Sequence, residues 1–435
     1  MSNEIKPVVC VVGLGYIGLP TAAVIARAGC RVVGFDISPE VVETINRGQI
    51  HIEEIDLEGV VHGVVQRGLL RAATAIAPAD VFVIAVPTPF ARDGHHTPDV
   101  TYVLSAATEI AAVLKPGDLV ILESTSPVGT TERVRDLIAG LRPDLALPGR
   151  SARTPDVAVA YCPERVLPGR ILLELTNNDR SIGGITPRCT RKATAFYKRF
   201  VRGACLPTDA RSAEMTKLVE NAYRDVNIAF ANELSIISDS LGLDVWEVIR
   251  LANRHPRVDI LSPGPGVGGH CIAVDPWFIV HSAPTQSSLI QTARAVNDGK
   301  IHHVIARASD LVESRPESAV ACLGLSFKAN IDDFRESPAR LVAATLARRF
   351  GNRVRVVEPF ADALPIEFTD TGAQLIDLDT ALETCAILVV LVDHDSFRAI
   401  PPEERAGKLV YDTRGIWPDQ SALGIGPPLR LVARG

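Results

Sequence analysis

The sequence predicts an α/β protein with two doubly wound, Rossmann-like domains joined by a central helical region. Three features of the 435-residue chain carry that prediction. Short apolar runs alternate with helix-length segments near the N-terminus. A long helical pattern occupies the middle, and the strand–helix rhythm returns from residue 319. Apolar strands separated by helices imply a parallel sheet covered on both faces. The changes of character place domain boundaries at 1–205, 206–305 and 306–435.

Taken in order, residues 8–12 (VVCVV) form a strand closed by Gly13. Residues 19–28 carry helix formers, with Pro20 in the first turn, where its missing N–H costs nothing. Residues 31–35 read as a second strand ending at Asp36, and 80–86 and 118–122 as further strands. The Pro- and Arg-rich stretch 142–156 reads as a surface loop without an assigned role. Over 210–252, apolar residues recur at three and four spacing, which predicts one long helix and a second one, with Gly242 as the break. The last strands are predicted at 320–327, 353–359, 386–393 and 408–412. Their order repeats the first domain: a strand, a helix, a second strand ending in an acid, then more strands.

Composition narrows the function. Apolar residues make up 47% and charged residues 22%, a globular balance, and the formal net charge is -6. A negative chain argues against a nucleic-acid partner held by bulk charge. The N-terminus, MSNEIKPVVC, lacks the features of a secretory signal, and no apolar run reaches bilayer-spanning length. These features predict a cytoplasmic protein with no membrane partner. The eight cysteines form no C-x-x-C pair, so neither a metal site nor a disulfide framework is expected.

The strongest local motif is Gly13-Leu14-Gly15-Tyr16-Ile17-Gly18, between a strand and a helix. Gly13 permits a tight turn, Gly15 lets a pyrophosphate approach the backbone, and Gly18 lets helix and strand pack closely. Free N–H groups at the helix start meet the phosphate charge. Asp36, at the end of the next strand, sits where an acid bonds adenosine ribose hydroxyls. Its charge repels a 2′-phosphate, so NAD is expected rather than NADP. Thr88 and Thr125 follow later strands at edges lining the same crevice, with a turn or cap as the alternative for each.

Residues 264–277 read GPGVGGHCIAVDPW, with four glycines at 264–269 that would let a ligand lie close to the backbone. Cys271 follows them directly. It is a candidate nucleophile, with buried packing as the alternative; for the other seven cysteines, buried packing is the reading. Asp275, four residues on, shares a face with Cys271 if the segment is helical, or else caps the turn before Pro276. Glu214, Lys217, Asn221 and Arg224 form a polar stripe at spacings of three, four and three, open to a site role or to plain solvation.

The stretches VVGLGYIGLP, AVPTPF, LESTSPVGTTE, YCPERVLPG, AEMTKLVENAYRDVNIAFANE, NRHPR, GPGVGGHCIAVDP and GLSFKANIDDFRESP together resemble the UDP-glucose/UDP-mannose dehydrogenase family over nearly the whole chain. NRHPR, YCPERVLPG and Arg224 resemble its UDP-N-acetylhexosamine branch. The resemblance implies an NAD-binding first domain, a central dimerisation domain and a last domain that binds the UDP-sugar. It implies four-electron oxidation of a C6 alcohol to a carboxylate, serving bacterial surface polysaccharide. The implied catalytic residues are Cys271, Lys217, Asn221, Asp275 and Glu164. The implied substrate contacts are Arg165, Val166, Lys217, Asn221, Arg224, His255, Arg257, Gly268, Phe327, Lys328 and Arg414, with Arg335 toward the cofactor. His255 and Arg257, beside Pro256, also fit an ordinary surface loop. A two-electron hydroxyacid dehydrogenase would leave Cys271 without work. A dinucleotide sensor would leave the whole polar set without work. The sugar's C2 configuration is not encoded in any of these motifs.

Overall fold

A computed structural model describes residues 6–91, 93–149, 154–166, 169–269 and 271–417. The chain forms two compact units, one of residues 1–220 with 277–284 and one of 221–276 with 285–435.

The first unit is built on an eight-stranded sheet: β1 (Val8–Val12), β2 (Arg31–Phe35), β3 (Leu70–Ala73), β4 (Val81–Ile84), β5 (Leu119–Leu122), β6 (Ala158–Tyr161), β7 (Arg180–Gly184) and β8 (Cys205–Asp209). Their spatial order is β3-β2-β1-β4-β5-β6-β7-β8. All pairings are parallel except β6 with β7. Side chains alternate across a strand, so Val9 and Val11 enter one core while Cys10 and Val12 enter the other, on the opposite face. Both cores are apolar, which is why the strands read as continuous apolar runs.

The second unit has a five-stranded parallel sheet: β9 (Val320–Leu323), β10 (Val354–Val357), β11 (Gln374–Leu375), β12 (Ile387–Val390) and β13 (Leu409–Asp412). The order is β11-β10-β9-β12-β13. Val320 and Cys322 enter one core, Ala321 and Leu323 the other. The doubly wound prediction is borne out in both units.

The long predicted helix spans Ala210–Leu241 and the next Val245–Ala252. Gly242 supplies the break at φ +69, and Asp244 caps the second helix by accepting the Trp246 N–H.

Three expectations need correction. The strands are shorter than the apolar runs, because the run-ends turn toward the helices: 80–86 becomes Val81–Ile84, and 320–327 stops at Leu323. Stretch 142–156 is not all surface loop. Leu145, Ala146 and Leu147 are buried, and Ala146 exchanges hydrogen bonds with Asp156 just before β6; residues 150–153 of that stretch lie outside the described ones. Of the seven cysteines read as packing, Cys205 is only half-buried, since β8 is an edge strand.

Candidate active site

In the first unit, the Gly13 N–H donates to the Phe35 carbonyl and Gly13 takes φ +91, which bends the chain sharply after β1. A Cβ on Gly18 would lie 1.8 Å from the Gly13 carbonyl oxygen, so Gly18 serves helix–strand packing. A Cβ on Gly15 would meet nothing within 4 Å. The helix Gly18–Arg27 has no side-chain cap at Ile17 among the described residues. Open space beside an uncapped helix start fits a pyrophosphate. Asp36 accepts the Leu14 and Ser38 N–H groups through separate oxygens, which orients the carboxylate beside the turn. Each oxygen keeps a lone pair for a ribose hydroxyl. Tyr16, in the same turn, is partly exposed. Thr88 and Thr125 are brought together, with the Thr88 hydroxyl donating to the Thr125 carbonyl at 2.7 Å. These residues fit NAD.

Glu164 follows β6 and is nearly buried. It accepts the Lys217 ammonium at 3.2 Å through one oxygen and the Val166 N–H through the other. Arg165 points elsewhere: its guanidinium grips Glu220 at 2.5 Å and the Asp179 carbonyl. Glu214 leaves the polar stripe altogether. It is fully buried and accepts the Gly129 N–H, the Thr131 N–H and the Thr131 hydroxyl at 2.6–2.7 Å, capping the helix Thr130–Leu141.

In the second unit, Asn221 donates to the Asp275 carboxylate at 2.6 Å. Asp275 is buried and begins the helix Asp275–Ser282, and its N–H reaches back to the Cys271 carbonyl. The one-turn spacing of Cys271 and Asp275 is therefore real, and the Cys271 side chain is exposed. Arg224, on the same helix as Asn221, is exposed. His255 and Arg257 are exposed in a loop that Asn253 closes through two hydrogen bonds to Ile260.

The Gly-rich loop needs a different explanation from the one its sequence suggests. The Cβ directions of its glycines meet protein: Arg414 at Gly264, Ile301 and Pro338 at Gly266, the Glu336 carbonyl at 2.4 Å from Gly268, and the Phe327 ring at Gly269. These glycines make room for the chain's own second sheet domain, which Phe327, Lys328, Arg335 and Arg414 also belong to. Arg335 forms a two-pronged pair with Asp333, and Arg414 donates through two nitrogens to one oxygen of Asp393. Burial pushes the Asp393 carboxyl up, but Arg414 and Arg398 hold it below its ordinary value.

The loop after β9 repeats the loop after β1. The Gly324 N–H donates to the Val357 carbonyl, and Glu358, at the end of β10, accepts the Leu325, Ser326 and Phe360 N–H groups. Buried His394 adds a contact at 3.3 Å. The acid ending the second strand of this domain was visible in the sequence; its task of tying down the Phe327–Lys328 loop was not. Sequence reasoning also missed Asn232, which accepts the Gly264 N–H and donates to Asn297, which in turn donates to Asp225. A second polar spacing on the same helix, at Asp225, Asn232 and Ser235, was the available signal.

Family models match three segments of the chain: the NAD-binding domain of the UDP-glucose/GDP-mannose dehydrogenase family over 7–201, its central domain over 211–299, and its UDP-binding domain over 321–419. The chain belongs to that family. The family's description pairs UDP-glucose with GDP-mannose, where the motifs had suggested UDP-mannose. A UDP-N-acetyl-D-mannosamine dehydrogenase of Salmonella typhi is 55% identical over 94% of this chain and 99% of its own. An NDP-N-acetyl-D-galactosaminuronic acid dehydrogenase of Ralstonia nicotianae is 54% identical over 94% and 96%. The solved structure of a UDP-D-ManNAc dehydrogenase from Pyrococcus horikoshii matches with a TM-score of 0.84 and 35% identity, covering 98% of each chain. This family member is thus an NAD-dependent nucleotide-sugar dehydrogenase. No helix among the described residues is long and apolar enough to cross a membrane.

Proposed function

We propose that the protein oxidises the C6 alcohol of UDP-N-acetyl-D-mannosamine to the carboxylate through a covalent adduct on Cys271. The observation that carries this reading is the pairing of exposed Cys271 with Asp275, one turn on, whose carboxylate holds Asn221. Bound at the Gly13–Gly18 turn and Asp36, NAD supplies the acceptor for one hydride in each of two oxidations. Asn221 and Asp275 hold a water that takes the alcohol proton, and the Lys217 ammonium assists by steadying the developing oxyanion. The Cys271 thiol then adds to the C6 aldehyde: the C–S bond forms and the thiol proton passes to the new hydroxyl. The thiohemiacetal keeps the aldehyde bound between oxidations, which is the use of a covalent nucleophile here. Its oxidation leaves a thioester. Glu164 takes a proton from water as the water attacks, the C–S bond breaks, and the sulfur recovers a proton while the acid leaves.

In this reading Arg165, Val166, Arg224, His255, Arg257, Gly268, Phe327, Lys328 and Arg414 contact the nucleotide-sugar, and Arg335 the cofactor. Cationic forks suit a diphosphate. The relatives named above support an acetamido sugar. A second reading, the same chemistry on the N-acetylgalactosamine isomer, which differs at C2 and C4, has the support of the 54% identity to the Ralstonia protein. The apolar side chains left exposed on the helix Ala210–Leu241, including Val219, Tyr223, Phe230 and Ile237, support a homodimer through that helix. An acid product of this kind would feed surface polysaccharide synthesis in the cytoplasm.

The test is NADH yield from limiting UDP-N-acetylmannosamine, UDP-N-acetylgalactosamine, UDP-N-acetylglucosamine and UDP-glucose in parallel. Two NADH per sugar with the first alone supports the proposal. Two with another donor moves the substrate and keeps the chemistry. One per sugar, or unchanged acid production by Cys271→Ala, refutes the covalent route.

A further inference from the structure

Beneath Glu164 lies a buried charge pair that the reaction scheme does not use. Glu123, at the end of β5, and Arg180, at the start of β7, are each 1% exposed, with Glu123 Oε1 3.5 Å from Arg180 Nη1. Arg180 also donates to the Pro163 carbonyl, the residue before Glu164, and to the Leu175 carbonyl. Its Nε has no hydrogen-bond partner among the described residues. The guanidinium is therefore under-satisfied and pulls on any acceptor within reach.

The groups facing this pair come from every surrounding element. The Thr21 hydroxyl donates to Glu123 from the helix Gly18–Arg27, and Tyr197 approaches from the helix Pro187–Tyr197. Cys162 and Glu164 come from the segment after β6. Burial pushes the Cys162 thiol up to about 12 and Tyr197 well above its ordinary value, so both are neutral. The charges facing Arg180 are the carboxylates of Glu123 and Glu164. With Lys217 on Glu164, four buried groups then alternate in sign: Glu123, Arg180, Glu164, Lys217. Such a set is tolerable in a low-dielectric interior only while every charge has its partner. Remove the charge of Glu123, and the nearest counter-charge left to Arg180 is Glu164.

We propose that Glu123 is a positioning residue for the hydrolytic step: it occupies Arg180, so that Glu164 stays on Lys217 and on the attacking water. The inference rests on the reading of Glu164 given above. Losing the Glu123 charge swings Glu164 toward Arg180 and weakens it as a base. Hydride transfer and nucleotide-sugar binding do not use the Glu164 carboxylate and change far less than hydrolysis. Burial first of all, with Glu164 adding to it and Arg180 opposing, raises Glu123 to about 7. Acidification through that range therefore mimics the loss of charge.

The experiment compares wild type, Glu123→Gln, Glu123→Asp and Glu164→Gln by rapid mixing with NAD and the preferred UDP-sugar, with acid quench and intact mass. Glu123→Gln is expected to give a burst of two NADH per active site, then turnover about tenfold slower, with the Cys271 thioester accumulating and kcat/KM for the sugar unchanged. Wild-type kcat falls toward that of Glu123→Gln as pH drops through about 7, whereas the variant is flat over the same range. Glu123→Asp keeps the charge and recovers most of the hydrolytic rate, even though its shorter side chain lowers the melting temperature at least as much. Wild-type turnover in Glu123→Gln, or losses in the Gln and Asp variants that simply follow their melting temperatures, overturns the proposal. If Glu164→Gln traps the thioester and Glu123→Gln does not, this inference alone fails. If Glu164→Gln traps nothing, the role given to Glu164 fails and takes this one with it.

Discussion

Gly15 and Gly18 sit three residues apart in one motif, and the structure gives them opposite jobs. In Gly15→Ala the new methyl group points into open space, with no protein atom within 4 Å. The residue does not need a left-handed backbone, so the folded state accepts alanine. Stiffening the unfolded chain even stabilises by roughly 0.4–1 kcal/mol. The space filled is the one assigned to the cofactor's pyrophosphate. Displacing that group from the helix start costs roughly 1.5–3 kcal/mol, the worth of a hydrogen bond to a charged group, or about ten- to a hundredfold in KM for NAD. In Gly18→Ala the methyl group lands 1.8 Å from the Gly13 carbonyl oxygen and 3.3 Å from the Ala85 methyl. The helix Gly18–Arg27 must move off the strand, and overpacking of this kind costs roughly 1–3 kcal/mol. Urea titration and NAD-dependent initial rates separate the two. Gly15→Ala is expected to keep or raise its denaturation midpoint while losing NAD affinity, and Gly18→Ala to lose midpoint first. A stable Gly15→Ala enzyme with wild-type KM for NAD would refute the placement of the pyrophosphate. A Gly18→Ala protein as stable as wild type would refute the packing argument.

Glu214→Ala removes three hydrogen bonds to the cap of the helix Thr130–Leu141 and strands one buried and one half-buried N–H group, so a loss of roughly 2–4 kcal/mol is expected by urea unfolding. Asn232→Ala leaves the Gly264 N–H and the Asn297 carbonyl oxygen without their partner, at roughly 2–4 kcal/mol. Because Gly264 begins the loop that carries Cys271, the variant's rate of alkylation by iodoacetamide should also change; an unchanged rate would show that the ladder does not reach the thiol. Lys300 is buried on Ser235, and burial lowers its pKa from 10.5 to about 8. The folded state holds this proton less tightly than the unfolded state, so the cost of burying the charge is present in full below about pH 8. It is relieved as pH rises toward 10.5, by about 3 kcal/mol over the window. The stability of wild type relative to Lys300→Met should therefore climb between those pH values, and a flat difference would contradict it.

Much of the fold was legible because its signals are local. Each strand of a covered parallel sheet is apolar on both faces, so β1, β4, β5, β9 and β12 announce themselves as short apolar runs. The last two strands of the first sheet do not: β7 begins with the buried Arg180, and the edge strand β8 contains Pro207, so neither stands out. The cofactor turn was legible for the same local reason, since its glycines and Asp36 act within a single strand–turn–helix unit.

The polar residues show where sequence stops. Glu214, Lys217 and Asn221 look like one stripe on one helix. Their fates are set by residues far along the chain: Thr131 for Glu214, Glu164 for Lys217 and Asp275 for Asn221. Periodicity reports which face a residue shares but not what meets that face. The glycines of 264–269 make the same point: their composition suggests room for a ligand, whereas their Cβ directions run into Arg414, Pro338, Glu336 and Phe327. The sequence by itself determined two doubly wound sheets, and it marked the Gly13–Gly18 turn and Cys271 as candidates for the cofactor site and the nucleophile. Tertiary structure alone decided which charges are structural and which remain available for chemistry, because a buried charge takes its role from the partner that satisfies it.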